Sequence, residues 1–250
     1  MSIVGKGFKL MGCLIKLLFG LLVFAVCGFL LWRIFSMNTP DTLTNITVND
    51  AIYEAYEESD GELYVFKQGQ GTITRTPKNS GYFSITHTVF IPEANQIQVV
   101  FRYNNSTIRH LTRDYGLEAE PDRSEDLFDV NLFFSIDLTP ENTDIRENAT
   151  LTDEGNRTFR CASQLVASEE ESLYNYRKFV FDLDECGEDL AKLLDSGVLL
   201  AVYADVYYVE DMDLDEPAYG TLCLYDYKTK IKDIDLSHKE KESIEAWKND

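Results

Sequence analysis

Four acidic side chains crowd one short stretch of the chain, Asp211, Asp213, Asp215 and Glu216, between two segments of strand-like composition. Carboxylates spaced this way on a loop can converge on a hard cation, because Ca²⁺ takes about six to eight oxygen ligands and tolerates irregular geometry. The spacing is not that of an EF-hand, since Glu216 stands where the turn glycine belongs and Leu222 where the closing acid belongs. Calcium is the one cofactor these residues suggest, against the plainer reading of a solvated acidic loop. Tyrosines form the second candidate site: Tyr203, Tyr207, Tyr225 and Tyr227 lie on the two segments that flank the acidic loop. If those segments pair, rings that share a face make a strip able to stack on sugars or on a peptide.

Nucleophilic chemistry finds less support. No Gly-x-Ser-x-Gly, Ser-x-x-Lys or His-Glu-x-x-His pattern occurs. The three histidines, His87, His110 and His238, are scattered. Cys161, Cys186 and Cys223 are separated by 25 and 37 residues, without the close pairs of a zinc site. One disulfide among the three is compatible with an oxidising compartment, and a disulfide framework is not indicated. Thr221-Leu222-Cys223 resembles the strand that carries the sortase nucleophile, which would give Cys223 that role. The family's second threonine and its downstream arginine have no counterpart, the last arginine being Arg177. Without a cation to lower its pKa, Cys223 reads as a small buried hydrophobe. Five Asn-x-Ser/Thr triplets, at Asn45, Asn104, Asn105, Asn148 and Asn156, are acceptors for glycosylation where a host supplies it.

The elements that must position these groups begin with an anchor. Residues 14–35, with Leu14 and Phe35 at the ends, are apolar except for Lys16 and Arg33 near the two ends. At about 1.5 Å per residue this covers the roughly 30 Å hydrocarbon layer of a bilayer. We expect a single transmembrane helix over 14–36, a short basic segment at 1–13, a linker at 37–42, and a domain over 43–236 followed by a helix or tail at 237–250. Lys6-Gly7-Phe8 is similar to a type IV prepilin processing site, which would imply cleavage after Gly7. The family's glutamate falls on Gly12 and its long helix would have to cross Pro40, so the likeness stops there.

Charge sets the orientation. The chain holds 23 basic and 43 acidic side chains, net −20. Residues 1–37 carry Lys6, Lys9, Lys16 and Arg33 and no acid, while all 43 acidic residues follow. Basic residues at the start favour a cytoplasmic amino terminus and an acidic domain outside the cytoplasm. The acidic domain excludes nucleic acid as a partner, which would require a basic face. The acidic runs at 118–126 and 169–171 read as solvated loops.

Alternation dominates that domain. Phe128, Val130, Leu132, Phe134, Ile136 and Leu138 share one face, with Asp129, Asn131, Ser135 and Asp137 on the other, the pattern of a half-buried strand. Ile97, Val99, Phe101 and Tyr103 alternate with Gln96, Gln98 and Arg102, and Phe179, Phe181 and Leu183 alternate with Lys178, Asp182 and Asp184. Residues 198–209 are apolar on both faces except at Asp205, as for a strand covered on two sides. Weaker candidates are 63–67, 71–76, 82–91, 158–166 and 218–227. About eight or nine strands with one or two short helices predict a mainly β fold, an antiparallel β-sandwich of jelly-roll or Ig-like type. The helices are expected at 186–195, ending at Ser196-Gly197, and after a Ser237/Glu240 capping box.

These readings point to a membrane-anchored, extracytoplasmic protein of the cell surface or envelope, non-catalytic, that binds or scaffolds a protein or glycan ligand and meets the lipid bilayer through residues 14–35. The alternatives are an envelope hydrolase or transferase working through carboxylates, and a structural subunit of a membrane complex that packs through Gly12, Gly20 and Gly28.

Overall fold

The computed structural model describes residues 3–35, 39–68, 82–137, 156–171, 173–187, 189–191, 199–214, 218–225 and 232–247. Contacts divide the chain into two units, Met1–Asn38 and Thr39–Asp250. In the first, helix α1 spans Ile3–Phe35. It begins well before residue 14 because isolated glycines weaken a helix without ending it, and no proline interrupts the run. Within it Ile15–Trp32 has a mean hydropathy of 2.4 with none of its side chains buried. This one helix is long and apolar enough to cross a membrane.

The second unit is mostly β, with two antiparallel sheets and few helices. Its strands are β1 (Phe66–Gln68), β2 (Phe83–Ile91), β3 (Gln96–Tyr103), β4 (Phe128–Asp137), β5 (Asn156–Cys161), β6 (Gln164–Glu170), β7 (Asn175–Asp182), β8 (Leu199–Tyr208), β9 (Gly220–Tyr225) and β10 (Lys232–Asp233). Six form a sheet in the order β10-β1-β2-β3-β7-β6, and four form a sheet in the order β5-β4-β8-β9. The segment expected as one strand over 158–166 is two, β5 and β6, which belong to different sheets. The acidic run at 169–171 lies partly in β6, an edge strand, rather than in a loop. The strand expected at 71–76 lies outside the described residues.

Alternation accounts for one hydrophobic cluster drawn from both sheets. Ile97, Val99 and Phe101 of β3 and Phe179 and Phe181 of β7 join Val130, Leu132 and Phe134 of β4 and Val202, Ala204 and Val206 of β8. Phe128 of β4 meets Phe83 of β2 edge to face at 4.9 Å between ring centroids. Each fully buried ring or aliphatic side chain here contributes about 1.5–3 kcal/mol.

The six-stranded sheet is covered on its other face as well. Gln96 and Gln98 are each only 1% exposed. The cover is the segment after α1 together with two helices, α3 (Asp50–Glu58) and a C-terminal helix, here α5 (His238–Trp247). A single turn, α2 (Asp41–Thr44), precedes them. Ile52 and Ala55 of α3 and Ile244 of α5 pack with Val89, Ile91 and Val65 in a second cluster. The Gln98 side-chain amide lies flush with the backbone of Thr47, accepting from its N–H and donating to its carbonyl, both at 2.8 Å.

The helix α4 (Asn105–Tyr115) was not among the expected elements. Its Asn104 cap accepts from Ser106 and Thr107 amides, and Gly116 closes it at φ 63°, a left-handed value that glycine adopts freely. The Ser237/Glu240 capping box forms as expected, with Ser237 N–H donating to Glu240 Oε2 at 3.0 Å and Glu240 N–H to Ser237 Oγ at 3.3 Å. The helix expected from Cys186 does not start there: Leu183–Cys186 is a 3₁₀ turn that Gly187 closes at φ 71°. Residues 192–198 lie outside the described residues.

Candidate functional site

The acidic loop is described only in part. Asp211 and Asp213 are exposed, and Asp215 and Glu216 lie outside the described residues. Among the described residues no three His, Cys, Asp or Glu side chains are grouped to hold a metal ion. The histidines do not converge either: His87 is in β2, His110 stacks on Tyr82 from α4 at 4.5 Å, and His238 opens α5. Cys223 is 3% exposed and donates to the Tyr225 carbonyl at 3.3 Å. Of the competing acceptors Asn104 and Asn105, the first is occupied as a helix cap while the second is exposed.

The tyrosines are divided by a bulge. In β9, Tyr203 pairs with Cys223 but Val202 pairs with Tyr225, so one extra residue enters at Leu224. That turns Tyr225 onto the inner face, where it packs against Phe90 at 6.0 Å. Tyr203 and Tyr207 both point away from the inner cluster, Tyr203 partly exposed and Tyr207 buried at 3% rather than part of an exposed strip, and Tyr227 lies outside the described residues.

On that outer face the pairing registers line up a continuous arrangement. One rung crosses all four strands as Arg160, Phe133, Tyr203 and Cys223. The next rung carries Asn131, Asp205 and Thr221, and the one beyond it Asp129 and Tyr207. Same-face rungs stand about 7 Å apart. Phe133 and Tyr203 are tilted neighbours at 6.4 Å, and the Arg160 guanidinium lies 5.9 Å from the Phe133 ring centre. Arg160 also donates to the Tyr207 hydroxyl at 2.7 Å. Burial, and then the Asp205 charge, raise the Tyr207 hydroxyl pKa, with Arg160 acting against them. Thr221 donates to Asp205 at 2.7 Å and Ser163 to Asp129 at 2.9 Å. At the centre, Asn131 is 4% exposed and its amide nitrogen has no hydrogen-bond partner. A buried donor left unpaired costs about 1–3 kcal/mol, and this nitrogen is enclosed beneath the side chains around it.

Asn131 and Arg160 have no pattern of their own in the sequence. They reach the tyrosines only through the pairing of β4 with β5 and β8, which is long-range information.

A second polar cluster lies under the cover of the six-stranded sheet. Lys67 donates to Glu240 at 2.6 Å, Glu240 also accepts from Ser237, and Lys178 donates to the Asn45 carbonyl at 2.5 Å. Burial, followed by Lys67 and Lys178, lowers the His87 imidazole to about 4. Burial lowers the Lys178 ammonium to about 8, with Glu240 opposing. Burial alone would raise the Glu240 carboxyl, but Lys67 and Ser237 hold it below the ordinary value. This cluster fastens the segment after α1 and the helix α5 to the sheet.

The run at 118–126 is not simply solvated. Arg177, 3% exposed, donates to Asp126 at 3.1 Å and to the carbonyls of Arg123 and Glu125 at 3.0 Å. A cleft of about 600 Å³ elsewhere is lined by Glu54, Glu58, Glu93, Asp184 and Asp189 among others. Compared with protein-family models, curated proteins and solved structures, the chain matches none of them.

Proposed function

We propose that this chain is a single-pass membrane protein with a cytoplasmic amino terminus and an extracytoplasmic two-layer β-sandwich, acting as a non-catalytic glycan-binding module of the cell surface or envelope. The apolar α1 with its basic start supports the anchor and its orientation. The core drawn from both sheets supports the sandwich.

One observation carries the binding role: the outer face of the four-stranded sheet sets the exposed Arg160 and the partly exposed rings of Phe133 and Tyr203 in one rung. Aromatic rings pack on the apolar faces of sugars, while amides and carboxylates take hydroxyl groups. β4 and β8 are interior strands with both backbone edges paired, so a peptide cannot add there as a further strand. Recognition on this face runs through side chains, which favours a glycan over an extended peptide.

An oligosaccharide array probed with the full-length chain in detergent tests this. Binding that is weakened in Tyr203→Ala and Phe133→Ala supports the reading, and a blank array removes it. Asp129 and Asp205 on one face also satisfy the first requirement of a glycosidase, paired carboxylates. Cleavage of the bound oligosaccharide, followed by mass spectrometry, would move the reading to a hydrolase.

A further inference from the structure

Three cysteines of the β unit could in principle pair, and the fold separates them. β5 and β9 are opposite edges of the four-stranded sheet, with β4 and β8 between them. At about 4.8 Å per strand, Cys161 and Cys223 stand roughly 14 Å apart across the sheet, beyond the reach of an S–S bond. They also face opposite ways, since Cys161 joins the inner cluster while Cys223 shares the outer rung of Tyr203.

Cys186 is placed differently. It ends the 3₁₀ turn that follows β7, and that turn packs against the end of β5. Cys161 Sγ donates to the Asp182 carbonyl and Cys186 Sγ to the Leu183 carbonyl, both at 3.1 Å. The two sulfurs are therefore held on consecutive carbonyls, close enough for each thiol to influence the other's ionisation. Both are free thiols in this structure. Cys161 is 1% exposed, while Cys186 is half-buried and reachable from solvent.

We propose that Cys161 and Cys186 form a disulfide that staples the end of the four-stranded sheet to the turn leaving the six-stranded sheet. The oxidant is a low-molecular-weight or protein disulfide of the extracytoplasmic space. Cys186, the accessible thiol, attacks one sulfur of that disulfide as its thiolate and releases one thiol. Cys161 then attacks the mixed disulfide and releases the second thiol. The balance is two protein thiols plus one disulfide giving one protein disulfide plus two thiols. Burial, foremost, raises both thiols above the ordinary range, so exchange in the folded chain is slow in either direction. The bond is accordingly structural, made once and kept. In the cell it rests on the outward placement proposed above, because cytoplasmic thiols stay reduced.

The test uses the full-length chain in detergent, reduced and then equilibrated with oxidised glutathione, followed by alkylation and tryptic digestion. Arg160, Arg177, Lys178 and Lys192 put the two cysteines on separate peptides, 161–177 and 179–192. These peptides are expected to be linked, with Cys223 alkylated. The oxidised chain is expected to melt about 10 °C above the reduced one, from the closure of this loop. Cys186→Ser, at the more exposed position, is expected to make the melting temperature insensitive to glutathione disulfide. Alkylation of both peptides, glutathione adducts in place of the link, or a link to Cys223 would overturn the proposal. Alkylating intact cells before lysis separates the two claims. A pair that links in purified chain but is reduced in the cell leaves the chemistry standing and refutes the outward placement.

Discussion

His87 sits in β2 among Lys67, Lys178 and Glu240, with an Nε2 that has no hydrogen-bond partner. Its pKa is about 4 in the folded chain against 6.5 ordinarily, so the unfolded chain binds more protons between those values. Stability therefore falls as pH drops from 6.5 to 4, by at most about 3 kcal/mol from this group. Glu240, held below its ordinary 4.5, adds a loss of the same sign at lower pH. Lys178, at about 8 against 10.5, makes stability rise between those values. Melting temperatures recorded from pH 4 to 7 are expected to show the acid loss, and His87→Gln to flatten it; equal slopes in both chains would refute this assignment. Arg177 gives a second prediction at this scale. Arg177→Met removes the hydrogen bonds that hold the Arg123 and Glu125 carbonyls, and is expected to cost about 3 kcal/mol in denaturant unfolding.

The ends of α4 and α5 depend on side-chain caps that water would otherwise replace. Asn104→Ala and Ser237→Ala are each expected to cost about 1 kcal/mol, read as a shift in the urea midpoint. Strong strands were legible because alternation is a local signal: β3, β4, β7 and β8 fall where the apolar period of two places them. The helices α3 and α4 carried weaker signals. Ile52, Ala55 and Tyr56, and Ile108 and Leu111, do have helical spacing after an asparagine cap, but each stretch offers too few apolar positions to stand out. The glutamines of β3 look like a solvated face in sequence, and they are buried because a distant segment, Thr47 for Gln98, supplies their partners. Of the candidate site, the shared face of Tyr203 and Tyr207 follows from alternation alone. The diversion of Tyr225 follows from a bulge that no glycine marks.

At the scale of the molecule the charge is divided between a basic apolar helix and an acidic β unit. The proposed orientation has a direct readout in an exposed position such as Glu120. Glu120→Cys in intact cells is expected to react with a membrane-impermeant maleimide, and labelling only after lysis would put the β unit inside. The central claim, however, is that the outer face of the four-stranded sheet holds a glycan through the rings of Phe133 and Tyr203 and the Arg160 side chain. The most direct test is a calorimetric titration of one array-positive oligosaccharide into the full-length chain and into Tyr203→Ala. The expected result is saturable binding that weakens about 3- to 10-fold when the Tyr203 ring is removed. Equal affinity in the two chains, or no heat in either, would contradict it.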